Sequence, residues 1–322
     1  MKNKPIIIIN GEPNSIFLEI FFKAIKHNKF KSPLILISSL RILRLQMKKL
    51  KFKKNINIIE HKNFKKNKIN NMSINLINVE YKQKKVFEKI SSKSNTFIKN
   101  SFDIALDILK EGISNKFING PISKKTFLNK NYLGITEYLT KKTSSKKTAM
   151  LIYNKDLSVC PLTTHLPLKM VSKKITKKLI YDKVTLINNF YKKNRRLKPK
   201  IAILGLNPHC ESVHKFNEDE KILKPAIKNL FNQGCKTYGP FSADTFFLKD
   251  NRRKFDVVIG MYHDQVLTPF KTIFEYNAIN ITLGLPFIRV SPDHGPNEKM
   301  LGKNISNPLS LIAAINFLDK NC

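Results

Sequence analysis

The sequence predicts an α/β protein built on a mostly parallel sheet. Two short apolar runs near the start, KPIIIIN at 4–10 and PLILIS at 33–38, are bounded by turn residues. Runs of this kind are typical of strands that are buried on both faces. Between them, residues 15–27 carry apolar side chains at helical spacing. The chain therefore opens with a β-α-β unit, and continued alternation predicts an α/β fold.

The later segments repeat this alternation. Residues 41–95 are rich in Lys and Asn and predict peripheral strands and loops. An amphipathic helix is expected at 101–111 with Ser101 as N-cap, and a final helix at 307–318 with Pro308 in its first turn. Further strands are expected at 117–122, 149–153, 157–163, 200–206, 257–261 and 279–283, and helical stretches near 167–193 and 219–233.

The charge of the chain is extreme but says little about partners. The 322 residues carry a net charge of +36, yet only seven of the 59 basic residues are arginine. Lys, Asn and Ile share A/T-rich codons, so genome composition could explain the excess of lysine without any ligand, and a general attraction of phosphorylated small molecules is the second interpretation. No zinc-finger spacing, RNA-binding aromatic motif or recognition-helix pattern accompanies it. We therefore expect no specific nucleic-acid partner, and a basic nucleic-acid-binding protein stays only as an alternative.

The lengths of the apolar runs and the spacing of the cysteines predict the cellular compartment. No apolar run approaches the roughly 18 residues that span a bilayer, so no membrane contact is expected. The opening MKNKPIIIIN has too short an apolar run for a signal peptide. The four cysteines form no CxxC pair, which favours a reduced, cytoplasmic location.

The segment 256–295 is the richest in candidate site residues. It is otherwise expected to form buried strands and tight turns. Polar side chains are costly to bury without partners, so their concentration here indicates a site. The polar residues are His263, Asp264, Lys271, Asn280, Arg289, Asp293 and His294.

Three histidines each follow an apolar run, in LTTHLP at 162–167, GLNPH at 205–209 and MYHDQ at 261–265. Ligands of open α/β sheets gather at the carboxyl ends of strands. The three imidazoles could therefore meet on one divalent metal, although each could equally be a structural histidine. Asp264 could orient a ligand, act as a base or cap a helix.

Two cations in the same segment could hold an anionic substrate. Arginine offers a rigid fork for carboxylate or phosphate, and lysine a mobile point charge. Arg289 stands between apolar residues, whereas Lys271 could also be a surface cation of a basic chain.

Nine motifs in one order resemble a known family. They are GEP at 11–13, NGPISK at 119–124, GITEYL at 134–139, TTHLPL at 163–168, GLNPHC at 205–210, GPFSADT at 239–245, MYHDQVLTPFK at 261–271, NITLGLPFIRVSPDHG at 280–295 and GKNISNP at 302–308. Together they resemble the 4-hydroxythreonine-4-phosphate dehydrogenases, the PdxA family of pyridoxal 5′-phosphate biosynthesis.

The resemblance implies a two-lobed α/β/α fold like that of isocitrate and isopropylmalate dehydrogenases, with mostly parallel sheets and a cleft between the lobes. Residues 1–130 plus 290–322 are expected to form the lobe with the cofactor loop. Residues 131–289 are expected to form the lobe that holds the metal and the dimer contact. Family members are homodimers whose cleft is completed by the neighbouring subunit.

The resemblance also implies a reaction and a set of site residues. The family oxidises 4-phosphooxy-L-threonine to 2-amino-3-oxo-4-phosphooxybutanoate, which decarboxylates to 3-amino-2-oxopropyl phosphate, using NAD or NADP without a GxGxxG loop. The proton acceptor is left open among three residues. By resemblance or chemistry, the candidates are His165, His209 and His263 for a divalent metal (zinc, magnesium or cobalt); Thr136, Lys271, Asn280 and Arg289 for the substrate; His294, Gly295 and Asn307 for the cofactor; and Lys271, Asp264 or Asp244 for proton transfer.

Three segments depart from the family pattern. Ile135 stands where the family has a substrate-contacting histidine, and Pro296 replaces a threonine of the cofactor loop. The opening GEPNSIFLE at 11–19 also lacks two glycines of the family's GDPAGIGPE. A related dehydrogenase acting on another phosphorylated hydroxy acid is therefore the nearest alternative.

Overall fold

The structure is a computed structural model. It describes residues 3–61, 69–128, 132, 134–212, 216–275, 277–292 and 295–320. The strands are β1 Ile6–Ile9, β2 Leu34–Ser38, β3 Ile56–Ile58, β4 Ile74–Asn78, β5 Lys116–Asn119, β6 Ala149–Tyr153, β7 Ser158–Pro161, β8 Ile201–Leu204, β9 Thr237–Phe241, β10 Val257–Gly260, β11 Ile279–Leu283 and β12 Ile288–Pro292.

Helices alternate with these strands. They are α1 Phe17–His27, α2 Leu40–Lys49, α3 Asn95–Lys110, α4 Ile135–Lys142, α5 Val171–Lys174, α6 Lys177–Arg195, α7 Lys224–Asn232, α8 Ala243–Phe246, α9 Lys249–Arg252, α10 His263–Phe274 and α11 Leu309–Lys320. Where the structure describes the chain, no helix is long and apolar enough to cross a membrane.

One compact unit comprises Met1–Leu139 and Pro286–Cys322. Its strands lie in the order β3-β4-β2-β1-β5-β12, and every neighbouring pair is parallel. The four isoleucines of β1 are fully buried, as expected for a central strand covered on both faces. Helices α1 and α11 contact each other, and α11 also lies against β12.

The other compact unit is Thr140–Leu285. Its strands lie in the order β11-β6-β7-β10-β8-β9. The first two pairs are antiparallel, and the last three pairs are parallel. Because strands β7, β10, β8 and β9 run in one direction, their carboxyl ends share one edge of the sheet. A core cluster that includes Phe246, Val266 and Phe270 packs beside them.

The α/β class with mostly parallel strands is confirmed, but three local predictions are wrong. Residues 40–49, expected as strand or loop, form α2, because Ile42, Leu43 and Gln46 are buried on one helical face. The lysines around them are good helix formers and therefore compatible with α2. They obscured the helical spacing of the few apolar residues in the sequence.

The segment 256–295 contains the helix α10 and not only strands and turns. It begins with polar residues and contains Pro269, which ordinarily disfavours a helix interior. The helix forms because Val266, Leu267 and Phe270 bury one face. Helix α3 begins six residues before the predicted N-cap, and Ser101 lies inside it, donating a hydrogen bond to the Phe97 carbonyl (2.8 Å).

Candidate active site

Three neighbouring parallel strands each deliver a histidine-bearing loop to the same sheet edge. The loop with His165 follows β7, the loop with His263 follows β10, and the loop with His209 follows β8. The first two are joined directly, since the Thr163 hydroxyl donates to the Met261 carbonyl at 2.7 Å. The predicted topological position of the three histidines at strand ends is therefore the one the structure has.

Gln265 joins the loop with His263 to the loop with His209. Its side-chain carbonyl accepts from the backbone N–H of Met261 (2.6 Å), and its amide donates to the Gly205 carbonyl (2.8 Å). Gly205 is at a crowded point, because a Cβ there would lie 2.6 Å from the Cys210 sulfur. One side chain thus sets the spacing between the β10 and β8 loops.

Asp219 holds the loop that follows β8 through hydrogen bonds. This carboxylate is fully buried. It accepts hydrogen bonds from the backbone N–H groups of Leu206 (2.8 Å) and Asn207 (3.0 Å), and from the Asn207 side-chain amide (2.9 Å). A buried polar side chain is costly unless it is hydrogen-bonded in this way. The loop that carries His209 is therefore held by hydrogen bonds to one buried side chain.

The backbone is constrained at two of the three histidines. His165 and His209 have φ of 51° and 55°, in the left-handed region that costs most residues energy and is common at functional sites. The rings of His165 and His263 lie 6.0 Å apart between centroids. The Nδ1 of His263 is 2.6 Å from the Asp264 carboxylate, an orienting contact that metal-binding histidines ordinarily have.

The donor chemistry of these loops fits a divalent transition metal, because imidazole nitrogen backed by carboxylate is a preferred ligand. Among the described residues, however, no three His, Cys, Asp or Glu side chains are grouped so that they could hold a metal ion. The assignment of His165, His209 and His263 as ligands stays a prediction.

Asp244 follows β9 at the same sheet edge and is exposed. A hydrogen bond from the Ser242 hydroxyl lowers its pKa most, and the Thr245 N–H and the nearby His209 act in the same direction. Asp244 is therefore a weaker base than an ordinary aspartate. Asp264, with a side chain 80% exposed, is engaged with His263.

Lys271 and Asn280 lie in the same unit as the histidines. Lys271 is exposed on α10, and Asn280 is half-buried on β11. The side-chain oxygen of Asn280 is buried without a hydrogen-bond partner. An unpaired buried oxygen is costly, which suits a residue that receives a donor from a ligand.

Arg289 and Thr136 belong to the other unit. Arg289 is 1% exposed, and its Nε donates to the Asn119 side-chain carbonyl at 2.7 Å. Burial lowers the pKa of Arg289 to about 9, against the opposing effect of the Glu137 carboxylate. Thr136 is half-buried beside Glu137 on α4. A buried guanidinium of this kind favours an anionic ligand.

The predicted cofactor residues are only partly described. His294, with Asp293, lies outside the described residues. Gly295 is exposed, and a Cβ there would meet no described atom within 4 Å apart from those of its chain neighbours. Asn307 is exposed, and its side-chain oxygen accepts from the Leu309 N–H (2.9 Å), capping α11. These features fit a nucleotide but do not test the assignment.

Sequence reasoning missed three residues that organise these sites: Gln265, Asp219 and Asn119. Gln265 and Asn119 stand inside motifs that were recognised, MYHDQ and NGPISK, yet neither received a role. Asp219 lies in a polar stretch of ordinary composition. Each bonds to residues distant in the chain, so local pattern gave no signal.

Comparisons with known proteins agree with the motifs. The family model described as pyridoxal phosphate biosynthetic protein PdxA matches residues 29–318. The chain belongs to the PdxA family. It is 39% identical over 316 residues to a 4-hydroxythreonine-4-phosphate dehydrogenase of Sulfurihydrogenibium sp., covering 96% of each chain. It is 31% identical over 302 residues to a D-threonate 4-phosphate dehydrogenase of Salmonella typhimurium, covering 92% of each chain.

Solved structures share the fold of this PdxA family member. The 4-hydroxythreonine-4-phosphate dehydrogenase of Klebsiella pneumoniae superposes with a TM-score of 0.85 at 26% identity, covering 98% of each chain. The enzyme of that name from Burkholderia phymatum superposes with a TM-score of 0.81 at 24% identity, again covering 98% of each chain. The second likeness supports the fold alone.

Proposed function

We propose that the protein is a 4-hydroxythreonine-4-phosphate dehydrogenase of pyridoxal 5′-phosphate biosynthesis. It oxidises the secondary alcohol of 4-phosphooxy-L-threonine, and hydride passes to NAD or NADP. The product, 2-amino-3-oxo-4-phosphooxybutanoate, loses CO₂ to give 3-amino-2-oxopropyl phosphate. The observation that carries the proposal is the set of cross-linked histidine loops at one sheet edge, in a chain 39% identical to a relative of that name.

Four residues bind the substrate in this proposal. Arg289 presents a buried guanidinium to an anionic group of the substrate, with Thr136 as a hydrogen-bonding neighbour. Asn280 uses its unpartnered side-chain oxygen to receive a donor such as the substrate amine. Lys271 completes the set. Holding the reacting carbon in one orientation supplies much of the rate.

In this proposal His165, His209 and His263 would hold a divalent metal such as zinc, magnesium or cobalt, in a cytoplasmic homodimer whose second subunit completes the site. Held there, a divalent metal would supply Lewis-acid chemistry that favours loss of the proton from the substrate hydroxyl. Asp264 keeps the His263 ring oriented through Nδ1. Gln265 and Asp219 hold the loops that carry the imidazoles.

Lys271 takes the hydroxyl proton. The two carboxylates are less suited to that role, because Asp264 is engaged with His263 and the pKa of Asp244 is lowered by Ser242. Gly295, His294 and Asn307 would hold the dinucleotide, which would accept the hydride from the same carbon.

A second candidate is oxidation of D-threonate 4-phosphate, favoured by the relative of that name at 31% identity and by Ile135, which can neither donate a hydrogen bond nor carry charge. The two substrates differ at one carbon, which bears an amine in one and a hydroxyl in the other.

Steady-state NADH or NADPH formation from each substrate, with and without a chelator, separates the two. We expect the larger kcat/KM for 4-phosphooxy-L-threonine and loss of turnover with the chelator. A larger kcat/KM for D-threonate 4-phosphate would favour the second candidate, and turnover of neither would contradict both.

A further inference from the structure

The proposed cofactor segment, residues 295–307, is held at both ends by α1. At its start, the Pro296 carbonyl accepts from the backbone N–H of Ile16, the residue before α1 (3.1 Å). At its end, the backbone N–H of Ser306 donates to the Glu19 carboxylate at 2.7 Å. Helix α1 and the residue before it therefore hold both ends of this segment.

Lys23, one turn along α1 from Glu19, reinforces the second attachment. Its ammonium donates to the Glu19 carboxylate and to the carbonyls of Asn304 and Ser306, each at 2.9 Å. An ammonium has three protons, so all three are used within this contact. Glu19 and Ser306 are 3% and 2% exposed, and hydrogen bonds to charged groups away from water are the stronger kind.

The attachment points adjoin the residues proposed to bind the dinucleotide. Gly295 precedes Pro296, and Asn307 follows Ser306 in the chain. We propose that Lys23 and Glu19 are positioning residues for the nicotinamide cofactor, which hold residues 295–307 in the conformation that binds it. This inference rests on the proposed function. Neither residue is required to touch the cofactor or the reacting atoms.

Lys26 provides a matched control. It lies on the same helix and lines the same cavity of about 680 Å³ as Lys23. It is exposed, and it makes no hydrogen bond to a described residue. Lys26→Met therefore removes the same charge from the same cavity without releasing the segment.

The test measures dinucleotide affinity directly, by fluorescence titration of the full-length protein with NADH and with NADPH. Lys23→Met should raise the Kd of the preferred dinucleotide about tenfold or more, since bonds to a charged donor are lost. Amide hydrogen exchange at Ser306 should accelerate in the same variant. Lys26→Met should leave both unchanged, and Lys23→Arg, which keeps the charge and several donors, should recover most of the affinity.

The outcomes separate this inference from the function it rests on. Wild-type protein that binds neither dinucleotide contradicts both. If wild type binds and Lys23→Met binds equally well while Ser306 exchange accelerates, the positioning role is wrong and the proposed function stands. A fall in Tm with equal losses in dinucleotide and substrate affinity, not recovered by Lys23→Arg, means a merely structural role and also overturns the inference.

Discussion

Gln265→Met removes the side chain that joins two of the histidine loops while keeping a similar volume. The change leaves the Met261 N–H and the Gly205 carbonyl without their partner, and both residues are buried. An unpaired buried polar group costs about 1–3 kcal/mol. For two groups we expect a loss of about 2–6 kcal/mol in the free energy of unfolding.

Urea unfolding of wild type and variant measures this loss. Gln233→Met is the control, because Gln233 is exposed and its side-chain amide bonds, among the residues that the structure describes, only to Asn229, at 3.3 Å. We expect a change under about 0.5 kcal/mol there. A Gln265→Met variant as stable as the control would refute the cross-link as a stabilising element.

Two further changes test the charged groups. Arg289→Lys should raise KM for the phosphorylated substrate about tenfold, because a rigid fork bonded to Asn119 becomes a point charge; an unchanged KM would argue against contact. In the folded protein the pKa of Asp244 lies below the ordinary value of 3.8. The ionised side chain therefore stabilises the fold above pH 3.8, and this stabilisation is lost as the pH falls through the folded-state pKa. The difference in urea midpoint between wild type and Asp244→Asn should therefore shrink below pH 3.8, and a difference independent of pH would contradict the argument.

The sequence was most informative where burial leaves a local pattern. The apolar run of β1 and the runs before His165, His209 and His263 predicted strands, and the histidine loops do lie at strand ends. Because those strands are neighbours and parallel, a linear pattern was enough to place three distant residues at one edge.

What could not be predicted depends on partners far along the chain. Gln265 bonds to a residue 60 positions away, and Lys23 to carbonyls more than 280 positions away. No periodicity marks such pairs. The helix α10 was missed for a different reason: its polar start and Pro269 resemble a turn, and only the burial of one face, with Phe270 at its centre, makes it a helix.

We propose above all that the histidine loops form the catalytic site of a dehydrogenase. The most direct measurement is the initial rate of reduced-dinucleotide formation from 4-phosphooxy-L-threonine by wild type, His209→Ala and His27→Ala in one metal-containing buffer. His27 is exposed at the end of α1 and serves as the control. We expect His209→Ala to lose about 100-fold or more of the rate while His27→Ala keeps it. A His209→Ala variant as active as wild type would contradict the account.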